Sequence, residues 1–248
     1  YYEGKYIQKD INKVIHYLTL ASKQNHPDAQ FMLGLLYLSL THIEKNIIRG
    51  IDYIIQSASN GHIEANFIAG YVYQEGKYIK KDIHKSIKYY KEASSFNNQY
   101  AKNNLGIIYR HGSGSEIKQS IGSAMEYFDE AIRRFNDKVS MYNLAHIFIY
   151  EDQTNDRLEK SIELLIKSSN EKFYPSRKLL CISLIKLYGF DIKKITTKLT
   201  EIAGIASEIP NIIIDMIYEK KLNDETIFKT KYKKYKMIDF AYQPFQQI

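Results

Sequence analysis

The chain has 248 residues, 44% of them hydrophobic and 25% charged, a balance that supports a buried core and excludes a disordered polyelectrolyte. Its longest apolar run, about Leu33 to Leu38, falls far short of the ~18–20 residues that a membrane-spanning helix needs. A lone cysteine, Cys181, excludes an internal disulfide and a cysteine-rich metal framework, while the net charge of +7 raises the question of an acidic partner.

The lysines are spread over the whole chain. Lys, Ile, Asn and Tyr dominate and Trp is absent, the bias that AT-rich coding produces, so part of the charge reflects composition. No leader-like stretch opens the sequence at Tyr1. A cytoplasmic location is favoured, and secretion stays open because an upstream segment is expected to be missing.

The stretch EGKYIQKDI at 3–11 returns as EGKYIKKDI at 75–83, an offset of 72 that resolves into two periods of 36. In chain order the pattern predicts helices over 10–24 and 27–38, 46–60 and 63–74, 82–96 and 99–110, 120–134 and 138–150, and 157–170 and 174–187. One set carries AQFMLGLLY at 29–37, ANFIAGYVY at 65–73 and AKNNLGIIY at 101–109. It continues with SMYNLAHIF at 140–148 and SRKLLCISL at 176–184, where Ala145 and Cys181 replace the glycine.

The other set carries three rungs. The first is Val14, Gly50, Ser86, Ala124 and Ser161; the second Tyr17, Tyr53, Tyr89, Tyr127 and Leu164; the third Ala21, Ser57, Ala93, Ala131 and Ser168. Offsets of three and then four place all three rungs on one helical face. Small residues let two helix backbones approach, and the tyrosines are expected to fill the core at the next layer. Asp10, Asn46, Asp82 and Ser120 stand where N-caps are needed, and Asn25, Gly61 and Asn97 where a left-handed residue closes a helix.

The order Ala-x3-Leu-Gly-x2-Tyr-x2-Gly followed by Asp-x3-Ala-x2-Tyr-x3-Ala resembles the Sel1-like repeat, a relative of the tetratricopeptide repeat. The resemblance covers about residues 1–187 in five units. Gly4, Gly76 and Gly112 supply the glycine after the tyrosine, and Leu40 departs from it. It implies an all-α fold, an α-solenoid or superhelix of stacked antiparallel helix pairs with a period near 36, acting as an adaptor for other proteins. Tyr1 matches Tyr37 one period earlier, so the first unit is expected to be truncated inside a helix.

Beyond Leu187 the phase loosens. Helices over 191–207 and 210–221, the second opening on Pro210, make 188–221 a degenerate sixth pair. Residues 222–248 read as a capping helix or a basic and aromatic tail. In an alternative reading, Lys229, Lys231, Lys233, Lys234 and Lys236 contact the phosphates of nucleic acid or an anionic membrane surface, with Tyr232 and Tyr235 available to stack.

Candidates for chemistry are weak. The seven histidines form no HExxH, and only His146, next to Ala145, faces the expected inner curve. The GSGS at 112–115 lacks the Lys-Ser/Thr continuation of a phosphate loop and reads as a lengthened turn. Cys181 occupies a close-packed glycine position, which suits a buried structural thiol better than a nucleophile. The expectation is a non-enzymatic scaffold without cofactor or metal.

If the glycine-bearing first helix of each pair lines the concave side, as the resemblance implies, two offsets from the glycine face inward. Three residues before it stand Phe31, Phe67, Asn103, Tyr142 and Lys178. One after it stand Leu35, Tyr71, Ile107, His146 and Ile182. The expected site is a peptide-binding groove with an apolar half at Phe31, Leu35, Phe67, Tyr71 and Ile107 and a polar half at Asn103, Arg110, Tyr142, His146 and Lys178. Phe31 and Phe67 have a second reading, as packing between neighbouring units.

Overall fold

The computed structural model describes residues 11–39, 47–189, 191–203 and 213. Among them stand eleven α-helices and no strand: α1 (Ile11–Lys23), α2 (Pro27–Ser39), α3 (Ile47–Ser59), α4 (Ile63–Glu75), α5 (Ile83–Ser95), α6 (Gln99–His111), α7 (Ile121–Phe135), α8 (Lys138–Tyr150), α9 (Asn155–Asn170), α10 (Pro175–Tyr188) and α11 (Ile192–Ala203). The first ten match the helices expected from the period to within two residues at each end. The described residues fall into two compact units, one running through Gln119 and the other starting at Ser120.

Local chemistry sets the helix ends. Asp82 and Ser120 cap as expected, accepting from the backbone N–H of Lys85 and Ser123, while Asp10 and Asn46 lie outside the described residues. His62, Asn98, Asp137 and Thr154 act as further caps. Asn25, Gly61 and Asn97 take positive φ of 59°, 94° and 64°. The amide that follows each reaches back five residues, His26 to the carbonyl of Ala21, His62 to Ser57 and Asn98 to Ala93. That closure occupies a carbonyl that the helix end leaves open and turns the chain back on itself in three residues.

In the first unit, α2 packs on α3 and α4 on α5, with α1 against α2, α3 against α4 and α5 against α6. The α2–α3 crossing is backbone on backbone. A Cβ on Gly34 would stand 2.6 Å from Ile54 Cδ1 and 3.0 Å from the carbonyl oxygen of Gly50, and one on Gly50 would stand 3.0 Å from that of Gly34. One pair later, a Cβ on Gly70 would meet the Tyr90 ring at 2.6 Å. Ser57 of the third rung donates to the carbonyl of Pro27 at 2.7 Å, tying the second helix of a pair to the start of the first.

In the second unit, α8 packs on α9 and α9 on α10, with α7 against α8. Ser168, the repeat equivalent of Ser57, donates to the carbonyl of Lys138 at 2.8 Å. Ile162, Leu165 and Ile166 of α9, Leu180 and Leu184 of α10, and Ile195 and Leu199 of α11 form one core that also takes in Ile213. Cys181 is buried in that core, which agrees with a structural thiol. The helix expected over 210–221 otherwise lies outside the described residues.

The tyrosine rung is corrected. The residues filling the close-packed layer stand one position later: Ile54, Tyr90, Phe128 and Leu165 are all fully buried. Tyr53 and Tyr89 are half-buried instead, stacked nearly parallel on Tyr37 and Tyr73 with ring centroids 5.8 Å apart. Tyr109 and Tyr127 are also half-buried, and Tyr17 is exposed. The residues three and four after the small one flank its line on opposite sides, and only the latter points into the crossing. A phenol at the edge keeps its hydroxyl in water while its ring packs.

Candidate functional site

The first helices of the first unit are α2, α4 and α6. Spacings of three and four put Asp28, Phe31, Met32 and Leu35 on one side of α2, Glu64, Phe67, Tyr71 and Glu75 on one side of α4, and Tyr100, Asn103, Ile107 and Arg110 on one side of α6. Phe31 is half-buried and stacks on His62 with centroids 4.1 Å apart. Phe67 is only 7% exposed and lies 5.9 Å from the ring of Tyr90 and 5.8 Å from that of Tyr100. Each therefore packs on the start of the next first helix, the second reading that the sequence offered for them.

The outward residues become more enclosed along the unit. Met32 is 41% exposed, Leu35 and Tyr71 are half-buried, and Ile107 is 9% exposed. Asn103 is fully enclosed and Arg110 is 2% exposed. A polar chain runs beneath this side: Tyr90 donates to Gln74 Oε1 at 2.9 Å, Asn104 Nδ2 donates to the Tyr90 hydroxyl at 3.1 Å, and Asn103 Nδ2 donates to Asn104 Oδ1 at 3.4 Å. Burial raises the pKa of Tyr90 far above that of a free phenol; the hydrogen bond from Asn104 works against this, and Tyr71 and Glu75 add to it. Burial first and Glu75 second raise that of Tyr71.

Charge is segregated in this unit. Helices α2 and α4 contain no Lys or Arg, although the chain has 35, and their carboxylates at Asp28, Glu64 and Glu75 are exposed. The two cations of α6, Lys102 and Arg110, are buried, Lys102 donating to Ser94 Oγ at 3.1 Å. Second helix α5, by contrast, carries exposed Lys85, Lys88 and Lys91. The outward side of α2 and α4 is thus apolar with an acidic rim. Met32, Tyr100, Asp28, Glu64 and Glu75 join the expected residues on this side, and the absence of Lys and Arg from 27–39 and 63–75 is the sequence signal that points to the acidic ones.

In the second unit, Tyr142 is half-buried against Phe173, centroids 5.7 Å apart, and lies 6.3 Å from His146. His146 is enclosed and packs on Tyr150 at 4.7 Å. Ile182 is buried, and Lys178 is exposed. Lys186 donates to the carbonyl of Ile149 at 2.8 Å and to Gln153 Oε1 at 3.2 Å, above the ring of Tyr150, and burial lowers its pKa. Among the described residues no group of His, Cys, Asp and Glu is arranged to hold a metal ion.

The GSGS stretch closes on itself: the Ser113 N–H donates to the Ile117 carbonyl at 2.9 Å and the Glu116 N–H to that of Ser113 at 3.0 Å. Those two amides are committed within the turn, as expected of a lengthened connection rather than a phosphate cradle. No helix among the described residues is long and apolar enough to cross a membrane. Lys229, Lys231, Lys233, Lys234 and Lys236 lie outside the described residues.

Comparison with known proteins agrees with the helix-pair fold. A Sel1 repeat protein from Oxalobacter formigenes superposes with a TM-score of 0.64 at 21% identity, over 88% of this chain and 83% of that one. The protective antigen c5321 of uropathogenic Escherichia coli, which has an SLR fold, superposes with a TM-score of 0.66 at 12% identity, over 98% of this chain and 63% of its own. No curated protein matches the sequence significantly. The Sel1 repeat pattern itself matches residues 1–26, 27–62, 63–95, 99–134 and 138–172. The chain belongs to the Sel1 repeat family, an α-solenoid fold that is in general a non-catalytic scaffold and typically serves protein–protein interaction.

Proposed function

We propose that this protein is a non-enzymatic adaptor, and that the outward side of the first helices of its first unit binds a protein segment that is apolar in its middle and basic at its flanks. The observation that carries this is the charge segregation: Met32, Leu35, Tyr71 and Tyr100 offer apolar surface, and the exposed charges beside them on α2 and α4 are all carboxylates. An acidic rim repels nucleic acid and anionic lipid and attracts Lys and Arg. Half-buried aromatic and aliphatic side chains supply the anchoring area. The equivalent side of the second unit, with Tyr142, His146 and Lys178, carries no such rim, since Arg177, Lys178 and Lys186 are the charges of α10.

The test is selection from a random-sequence peptide display library. The expected winners pair aromatic or aliphatic residues with Lys or Arg, bind more weakly in high salt, and lose at least tenfold in affinity to a Leu35→Ala/Tyr71→Ala variant whose thermal stability is close to that of the parent. Winners rich in Asp and Glu, or binding that ignores both substitutions, would refute the assignment.

A further inference from the structure

Resting on that docking side, we infer that its partner is a second copy of this chain, which presents the connection between α4 and α5, Lys77 to Lys81. The docking side calls for a segment that is apolar in its middle and basic at its flanks. This connection has that composition: Tyr78 and Ile79 stand between Lys77 on one side and Lys80 and Lys81 on the other. All three lysines are exposed, as is 45% of Tyr78. Among the described connections between helices it is the only one with more than one Lys or Arg.

The loop is fixed at its base. Gly76, at φ 67°, turns the chain off the end of α4 while its N–H donates to the Val72 carbonyl at 3.1 Å, and the Asp82 N–H donates to the Tyr73 carbonyl at 3.0 Å. A Cβ on Gly76 would stand 2.5 Å from that of Lys81, so the two ends of the connection touch. A segment held this way gives up little conformational freedom on docking. Its size suits the rim. Glu64 and Glu75, eleven residues apart on α4, stand about 16 Å apart along the axis with Tyr71 between them. Lys77 and Lys81 are at most about 14 Å apart, and their four-carbon stems let the two ammonium groups reach the two carboxylates while Tyr78 meets Tyr71. Each copy carries a net charge of +7, but the Debye length at physiological ionic strength is about 8 Å, so repulsion between whole molecules is screened while opposite charges in contact still attract. Loop and docking side are different surfaces of one chain, so the contact is heterologous and each copy receives the loop of the next.

The test is sedimentation equilibrium of the full chain from micromolar to submillimolar concentration. The average mass of the wild-type chain is expected to rise with concentration above that of one chain, and to rise less in high salt. Two variants, Leu35→Ala/Tyr71→Ala on the docking side and Tyr78→Ala/Lys80→Glu/Lys81→Glu in the loop, should each weaken self-association at least tenfold with helical content unchanged. Mixed together they should form a one-to-one complex, because the first still offers a loop and the second still offers a docking side. A wild-type chain that stays monomeric throughout would overturn the inference, as would a mixture of the two variants that stays monomeric. Library-selected peptides separate this failure from that of the docking side: Tyr71-dependent peptide binding by a chain that stays monomeric keeps the docking side and removes this partner, and loss of both peptide binding and self-association removes both.

Discussion

Two chemically identical substitutions should move stability in opposite directions. Gly70→Ala places a methyl 2.6, 2.8 and 3.0 Å from three carbons of the Tyr90 ring. The ring cannot retreat cheaply, because Tyr90 is fully buried and its hydroxyl is held between Gln74 and Asn104. Overpacking of this kind costs about 1–3 kcal/mol, and displacing the hydroxyl weakens two hydrogen bonds of about 1 kcal/mol each. The better helix propensity of Ala returns about 1 kcal/mol, leaving a net destabilisation near 2 kcal/mol. Gly122→Ala in α7 meets nothing within 4 Å and should stabilise by about 0.5 kcal/mol. Denaturant midpoints followed by circular dichroism compare the two directly, and a Gly70→Ala chain as stable as the parent would refute the close approach of α4 and α5.

Three further outcomes follow from the same contacts. Ser57→Ala and Ser168→Ala each remove a side-chain bond that pins a second helix to the start of its first helix, and each should lower stability by about 1 kcal/mol in the same denaturation assay. Tyr90→Phe removes two hydrogen bonds, the one donated to Gln74 and the one accepted from Asn104, and should cost about 1–3 kcal/mol near neutral pH. The wild-type chain should also lose stability as pH rises above 10, because an unfolded tyrosine gives up its proton there while buried Tyr90 keeps it, so the native state holds more protons. Tyr71, Tyr150 and Tyr188 act with the same sign and Lys186 with the opposite one, so the share due to Tyr90 is read as the difference in slope between wild type and Tyr90→Phe.

The architecture was legible because a repeat writes the same local instructions several times. One Asp ahead of Ile83 is weak evidence for a helix start, but the same capping chemistry at Ser120 in the next copy makes it a rule. The left-handed Gly61 and the two asparagines at the equivalent places mark where each second helix must stop. The candidate site was legible only in part. Periodicity put Phe67 and Tyr71 on one helix side, yet Phe67 packs on the next repeat through Tyr100, because the residue three before the glycine leans toward the following first helix, while Tyr71 stays half-buried. The acidic rim needed no coordinates, only a comparison of Lys and Arg between the two helix sets.

By itself, then, the sequence determined the period, the helix limits, the capping and the glycine-bearing crossings, all of which depend on interactions within one or two turns or on the volume of a single side chain. The tertiary structure decided which of two adjacent bulky residues enters each crossing, Ile54 over Tyr53 and Tyr90 over Tyr89. It also decided which outward residues stay open, Met32 and Leu35, and which are enclosed, Asn103, Ile107 and Arg110. Those choices turn on rotations of a few tens of degrees about a helix axis and on what lies opposite, and a one-dimensional pattern records neither.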